Sequence, residues 1–367
     1  MYVLLVAAGL LLAFANGAND NFKGVASLFG SRTAGFRGAL AWATLTTLLG
    51  SAAAVLLAGE LLARFGGKGI VPDELTLDAT FLGAVALGAG ATVLLATRLG
   101  LPTSTTHALV GALVGAGLAG GGPLHSRALL GSVVAPLLLS PIVALVTTAL
   151  LYRGLRWGRA RSGLNERSCL CVDEVVAPQP VGGPSLGIVA AHAPAARLER
   201  SGEACDFGAP LVRVRAEPVL DGLHYLSAGA LSFARGLNDT PKIAALLLLV
   251  PALGPTSALI LCGVAIAAGG LLAARRVART MSIEITPMNA GQGFTSNVVS
   301  SLIVLVASPL GLPVSTTHVT CGALFGLGLQ SGEGRIGTMG RIVLAWIVTL
   351  PLAGLLAFLA HWTWSAS

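Results

Sequence analysis

Long apolar runs leave this chain few ways to fold. They cover residues 2–15, 39–58, 80–96, 128–152, 244–253, 257–274, 298–307 and 342–360. Several approach the ~20 residues that carry a helix across a bilayer core. Inside lipid every backbone N–H and C=O must find a partner within the protein, so runs of this length fold as helices. Composition agrees: 54% of the 367 residues are hydrophobic and 11% charged, whereas a soluble domain carries about a quarter charged residues. A soluble core could not enclose so much apolar surface. The expected class is an all-α, polytopic membrane protein in a plasma membrane of the bacterial inner-membrane kind. The first run has no basic start, and "NGAND" stands where a cleavage site would be, so it is expected to be mature structure rather than a signal peptide.

Charge reports topology more than partners. The formal net charge is +7. Arg153, Arg156, Arg159, Arg161 and Arg167 cluster after the fourth apolar run, and such density beside a span favours the cytoplasmic side. No basic, aromatic-rich domain accompanies them, so the expected surroundings are a lipid bilayer and not nucleic acid. The five cysteines form no metal pattern, because Cys169-x-Cys171 is too short for a typical zinc pair.

The chain repeats itself. "FANGANDNFK" at residues 14–23 returns as "FARGLNDTPK" at 233–242, an offset of 219. "GLPTSTTH" at 100–107 returns as "GLPVSTTH" at 311–318, an offset of 211. The expected organisation is therefore a first membrane repeat over 1–155, a polar cytoplasmic loop over 156–221 without a core of its own, and a second repeat over 222–367. Each half is expected to begin with a helix interrupted at its Asn-Asp pair, and to carry a short, re-entrant helix after its octapeptide. Matching breaks in two halves mark a transporter's binding site. An odd number of crossings per half would invert the repeats, which is the arrangement expected here.

The duplicated residues have chemistry suited to ions. Pro102 and Pro313 suit the first turn of a helix. Ser104, Thr105 and Thr106, with Ser315, Thr316 and Thr317, then place hydroxyls beside the unsatisfied N–H groups of a helix start. Two such starts facing each other would enclose a small tetrahedral oxyanion. The plainer alternative is that these hydroxyls cap helices or join them. Asp20 and Asp239 are carboxylates in apolar surroundings, which marks function by default. Either would bind a cation such as Na⁺ or take a proton, and the neighbouring Asn19 and Asn238 offer a hard carbonyl oxygen and an amide donor. Lys23 and Lys242 would attract the anion, pair with these aspartates or snorkel to the interface. His107 and His318 would relay protons or serve as hydrogen-bonded helix residues. Glu60 is a further coupling candidate near a membrane edge.

Together "GAND", "GLND" and the paired "GLPxSTTH" resemble the PiT family of inorganic phosphate transporters, over both halves and about four-fifths of the chain. The resemblance implies an inverted-repeat fold, phosphate symport with Na⁺ or H⁺ and no other cofactor, and a homodimer. It implies that Asp20 and Asp239 serve the coupling cation, and that the Ser/Thr clusters with Asn19 and Asn238 hold phosphate. The sequence departs from the family pattern at "NFKG" and "TPKI", which replace a run of small residues. It also departs at Asn297, which stands where many members carry a glutamate. A sulfate permease of the same fold is the nearest alternative. HPO₄²⁻ donates a hydrogen bond that sulfate cannot, so an acceptor beside the anion would favour phosphate. An anion channel would also use hydroxyl-lined half-helices, but buried carboxylates oppose free anion flow. An enzyme is not expected, because no nucleophile, base and orienting group form a set.

Overall fold

The computed structural model describes residues 1–57, 59–65, 71–121, 125, 127, 129–181, 187–200 and 211–366. They form two compact units, Met1–Tyr152 with His224–Ser367, and Arg153–Leu223.

The first unit is helical, and its order of long helices runs twice. The first half has α1 (Tyr2–Asp20), α2 (Phe36–Leu57), α3 (Ala79–Arg98), α4 (Thr105–Ala119) and α5 (Ala135–Ser162). The second has α6 (Ala216–Ala244), α7 (Pro255–Ala273), α8 (Ala290–Ala307), α9 (Thr316–Ser331) and α10 (Ile336–Ser365). Among the described residues seven helices are long and apolar enough to span a membrane: Tyr2–Gly30, Phe36–Leu57, Ala79–Arg98, Leu129–Ser162, Pro255–Ala273, Ala290–Ala307 and Ile336–Ser365. α4 is apolar but shorter. The two halves interleave. Gly111 of α4 lies against the Leu350 carbonyl of α10, and Gly322 of α9 against the Pro141 carbonyl of α5.

Local chemistry sets the helix limits that matter. α3 and α8 give way to left-handed glycines, Gly100 (φ 70°) and Gly311 (φ 66°), a conformation in which a Cβ is strained. The chain then runs non-helical through 101–104 and 312–315. Ser104 and Ser315 are the N-caps of α4 and α9, each accepting from the backbone N–H of the histidine three residues on, at 3.0 and 3.2 Å. The helices thus start after the prolines and not at them, because a serine oxygen satisfies an orphan N–H and a proline ring cannot.

The helix break expected at each Asn-Asp pair is present in the first half and missing from the second. α1 ends at Asp20 and a 3₁₀ turn follows at Lys23–Val25, but α6 continues through Asn238 and Asp239 to Ala244. Gly17 and Gly236 lie inside continuous helix and serve close packing. A Cβ on Gly17 would stand 1.8 Å from the Ile266 carbonyl oxygen, and one on Gly236 would stand 2.2 Å from that of Thr47.

The second unit corrects the expectation of an irregular loop. It holds an antiparallel sheet in the order β2-β1-β3, made by β1 (Cys169–Val181), β2 (Gly187–Glu199) and β3 (Val212–Arg215). β1 pairs with β2 from Cys169↔Glu199 to Val181↔Gly187, and with β3 from Cys169↔Arg215 to Val172↔Val212. Pro178, Pro180 and Pro194 hide this in the sequence, since proline argues against a strand except at edges. The class is thus mostly helical, with a small sheet.

Candidate functional site

Helical spacing gathers the duplicated polar residues before any tertiary contact forms. Asn16, Asn19, Asp20 and Lys23 fall at i, i+3, i+4 and i+7, as do Arg235, Asn238, Asp239 and Lys242. Such residues share one helix face. All eight are buried, and α4 and α9 bring their starts to the same place.

The contacts recur reciprocally between the halves. Lys23 Nζ of the first half donates to Thr317 Oγ1 of the second (2.6 Å), and Lys242 Nζ of the second to Thr106 Oγ1 of the first (3.0 Å). Each lysine also donates to a backbone carbonyl ahead of its own half's short helix, Thr103 at 2.9 Å and Val314 at 2.8 Å. Each pairs with its aspartate, Lys23 by a short hydrogen bond to Asp20 and Lys242 at 3.6 Å from Asp239. Thr105 Oγ1 donates to Asp20 and Thr316 Oγ1 to Asp239, both at 3.2 Å. Asn19 Nδ2 donates to Thr97 Oγ1 at 2.9 Å, while Asn238 Oδ1 accepts from Ser308 Oγ at 3.2 Å. The rings of His107 and His318 lie 4.3 Å apart between centroids, so the two helix starts adjoin.

One position breaks the match. Asn16 and Arg235 occupy the same place in the duplicated decapeptide. Asn16 Nδ2 lies between the carboxylates, donating to Asp20 at 2.9 Å and Asp239 at 3.3 Å. The Arg235 guanidinium donates to Asn16 Oδ1 (3.2 Å), Asn21 Oδ1 (3.0 Å) and Thr47 Oγ1 (3.1 Å). Neither residue was among the sequence candidates. The signal was present, because each stands one turn before its aspartate on the same face.

Buried polar atoms remain free here. Arg235 Nε, His107 Nδ1 and His318 Nε2 have no hydrogen-bond partner among the described residues. A buried group left so is costly, and the Arg235 Nε–H is a charged donor in the cluster that suits an anion; His318 Nδ1 faces the Leu137 carbonyl at 3.4 Å, which leaves Nε2 of a neutral ring an acceptor. Beside the cluster lies a cavity of about 1030 Å³ whose lining includes Arg98, Arg275, Arg276 and Arg279. Its wall also includes Thr97, the partner of Asn19. A cleft lined by one sign of charge raises the local concentration of the opposite ion.

The remaining candidates divide. Asn19, Asn238, Asp20, Asp239, Lys23, Lys242, Thr105, Thr106, Thr316 and Thr317 form the cluster, and Ser104 and Ser315 cap its helices. Lys23 and Lys242 are 2% and 1% exposed, so they turn inward and do not snorkel. Asn297 stands apart, donating to Ser27 Oγ at 2.8 Å, with His224 Nε2 2.9 Å from the same oxygen. Glu60 is exposed and makes no contact with the cluster among the described residues.

Comparison with known proteins agrees with this architecture. The model of the "Phosphate transporter family" matches residues 16–357. A protein of Rhizobium meliloti (strain 1021) named "Probable low-affinity inorganic phosphate transporter" is 30% identical over 98% of this chain and 96% of its own length. One of the same name from Mycobacterium bovis is 28% identical over 97% of this chain and 75% of its own. A solved structure titled "The sodium-dependent phosphate transporter" superposes with a TM-score of 0.77 at 22% identity, over 100% of this chain and 99% of that one. That likeness concerns the fold.

Proposed function

Since this chain belongs to the phosphate transporter family and is a multi-pass membrane protein, we propose that it imports inorganic phosphate by secondary active transport. The driving ion in this reading is Na⁺ or H⁺. The observation that carries it is the reciprocal cluster at the starts of α4 and α9, where the buried cations Lys23, Lys242 and Arg235, the last with a free Nε–H, adjoin two carboxylates.

Each group has a task in this reading. Arg235, Lys23 and Lys242 supply the positive charge that a divalent oxyanion requires inside a membrane. Asn19, Asn238 and the hydroxyls of Thr105, Thr106, Thr316 and Thr317 orient its oxygens, while Ser104 and Ser315 hold the helix starts open to it. Asp20 and Asp239 serve the coupling cation. They also give HPO₄²⁻ an acceptor for its proton, which sulfate would leave unpaired. Transport proceeds by alternating access as the duplicated elements rock about the site. The crossing contacts, Lys23 to Thr317 and Lys242 to Thr106, support a pseudo-twofold relation with inverted repeats. A homodimer, as the family resemblance implies, belongs to the same reading.

The test is uptake of labelled phosphate into proteoliposomes, with Na⁺ and pH gradients imposed separately and excess sulfate as competitor. Gradient-driven uptake that survives sulfate and is lost in Asp20→Asn and Asp239→Asn is the expected result. Robust sulfate uptake with no phosphate uptake would make the chain a sulfate permease. Flux that neither saturates nor responds to a cation gradient would make it a channel.

A further inference from the structure

Each coupling aspartate has a lysine three residues on, and each ammonium is held in a cage of oxygens. Lys23 Nζ has Asn19 Oδ1 at 2.8 Å, Thr103 O at 2.9 Å and Thr317 Oγ1 at 2.6 Å, as well as Asp20 Oδ1. Lys242 Nζ has Val314 O at 2.8 Å, Thr106 Oγ1 at 3.0 Å and Asp239 Oδ1 at 3.6 Å. The ring of Phe65 faces it at 5.4 Å. Amide, carbonyl, hydroxyl and carboxylate oxygens converging on one point are a hard-cation ligand set. Here the protein's own lysines fill that point at equivalent places in the two halves, with the full set around Lys23 and the set without an amide oxygen around Lys242.

The geometry points to Lys23 and Lys242 as tethered cations that occupy the positions a Na⁺ would take at Asp20 and Asp239, so that this chain binds its anion without Na⁺. The inference rests on the reading of this cluster as the anion site. An ion entering either cage would share its carboxylate with an ammonium about 3–4 Å away, and unit charges at that range repel strongly away from bulk water. The ammonium cannot retreat to water while bonded on several sides, and both lysines are buried. The charge balance agrees. Asp20 and Asp239 are already matched by Lys23 and Lys242, and Arg235 adds a further positive charge, so an anion meets compensation built into the chain. An added Na⁺ is therefore not required to balance it.

The test measures Na⁺ directly. Binding of ²²Na⁺ to the purified full-length chain in detergent is followed by scintillation proximity. The wild type is compared with Lys23→Met and Lys242→Met, and with Lys23→Arg as the charge-keeping control. Phosphate binding is measured by calorimetry in Na⁺ and in choline buffers. The wild type and Lys23→Arg are expected to show no saturable Na⁺ binding. The wild-type phosphate affinity is expected to agree within about twofold between buffers, a free-energy change too small to reflect a lost ligand. The methionine variants, once shown monodisperse, are expected to gain saturable Na⁺ binding that Asp20→Asn or Asp239→Asn removes from the matching variant. Saturable Na⁺ binding by the wild type overturns the inference, and that arm stands even if the variants misfold. Folded methionine variants indifferent to Na⁺ overturn it too. Absence of phosphate binding in both buffers would instead overturn the proposed substrate and leave the Na⁺ measurement to decide the cages.

Discussion

The two crossing hydrogen bonds look equivalent, yet counting donors and acceptors predicts that they differ in energy. An ammonium has three donors. Lys23 Nζ faces four oxygens, so Thr317→Val leaves three. The Thr103 carbonyl, which also accepts from Thr317 Oγ1 at 2.8 Å, keeps its bond from Lys23. The expected cost of Thr317→Val is about 1 kcal/mol, the worth of an ordinary hydrogen bond. Lys242 Nζ has two hydrogen-bond acceptors and a more distant carboxylate. Thr106→Val removes one of them and leaves a buried charge short of partners, for about 2–3 kcal/mol. The longer bond is thus expected to matter more. The assay is SDS-induced unfolding of the purified chain in mixed micelles, read by tryptophan fluorescence. Double-mutant cycles with Lys23→Met and Lys242→Met isolate each pair. A Thr317→Val cost equal to or above that of Thr106→Val would refute the reasoning, because donor satisfaction would then not set the energy of these cages.

Further outcomes follow from the same contacts. Arg235→Gln removes the unmatched positive charge and is expected to weaken phosphate binding by about 10–100-fold in calorimetry. Arg235→Lys should lie between Gln and wild type, because it keeps the charge and loses the fork. Asp20→Asn strands Lys23 in the protein interior, so it should destabilise by about 3–5 kcal/mol in the unfolding assay, besides abolishing uptake. Gly17→Ala puts a Cβ 1.8 Å from the Ile266 carbonyl oxygen; overpacking of this kind costs about 1–3 kcal/mol or more. Gly38→Ala, in the exposed first turn of α2 with nothing within 4 Å, serves as its control and should leave stability unchanged or slightly raised. Glu60→Gln should leave phosphate uptake at the wild-type rate, because that carboxylate is exposed and outside the cluster.

Much of this protein was determined locally and is readable from the sequence. Apolar runs impose spanning helices because lipid offers the backbone no partners. The duplication announces two like halves. Periodicity along α1 and α6 already puts Asp20 with Lys23, and Asp239 with Lys242, on a shared face. Other features arise only between elements. Arg235 reads as one arginine in a decapeptide until α1 approaches α6 and its guanidinium meets Asn16 and Asn21. Gly17 and Gly236 are points of helix contact, which their own segments do not reveal because the opposing Ile266 and Thr47 carbonyls belong to other helices. The sheet made by Cys169–Val181, Gly187–Glu199 and Val212–Arg215 is obscured because prolines in its long strands oppose a strand reading, and because β3 pairs with β1 across β2, which intervenes in the chain. Lys23 allows an interfacial reading by sequence. Only the tertiary structure, by placing Thr317 of the opposite half and the Thr103 carbonyl around its ammonium, makes it an interior cation. A charge in a membrane goes where oxygens can replace water, and those oxygens come from segments far apart in the chain.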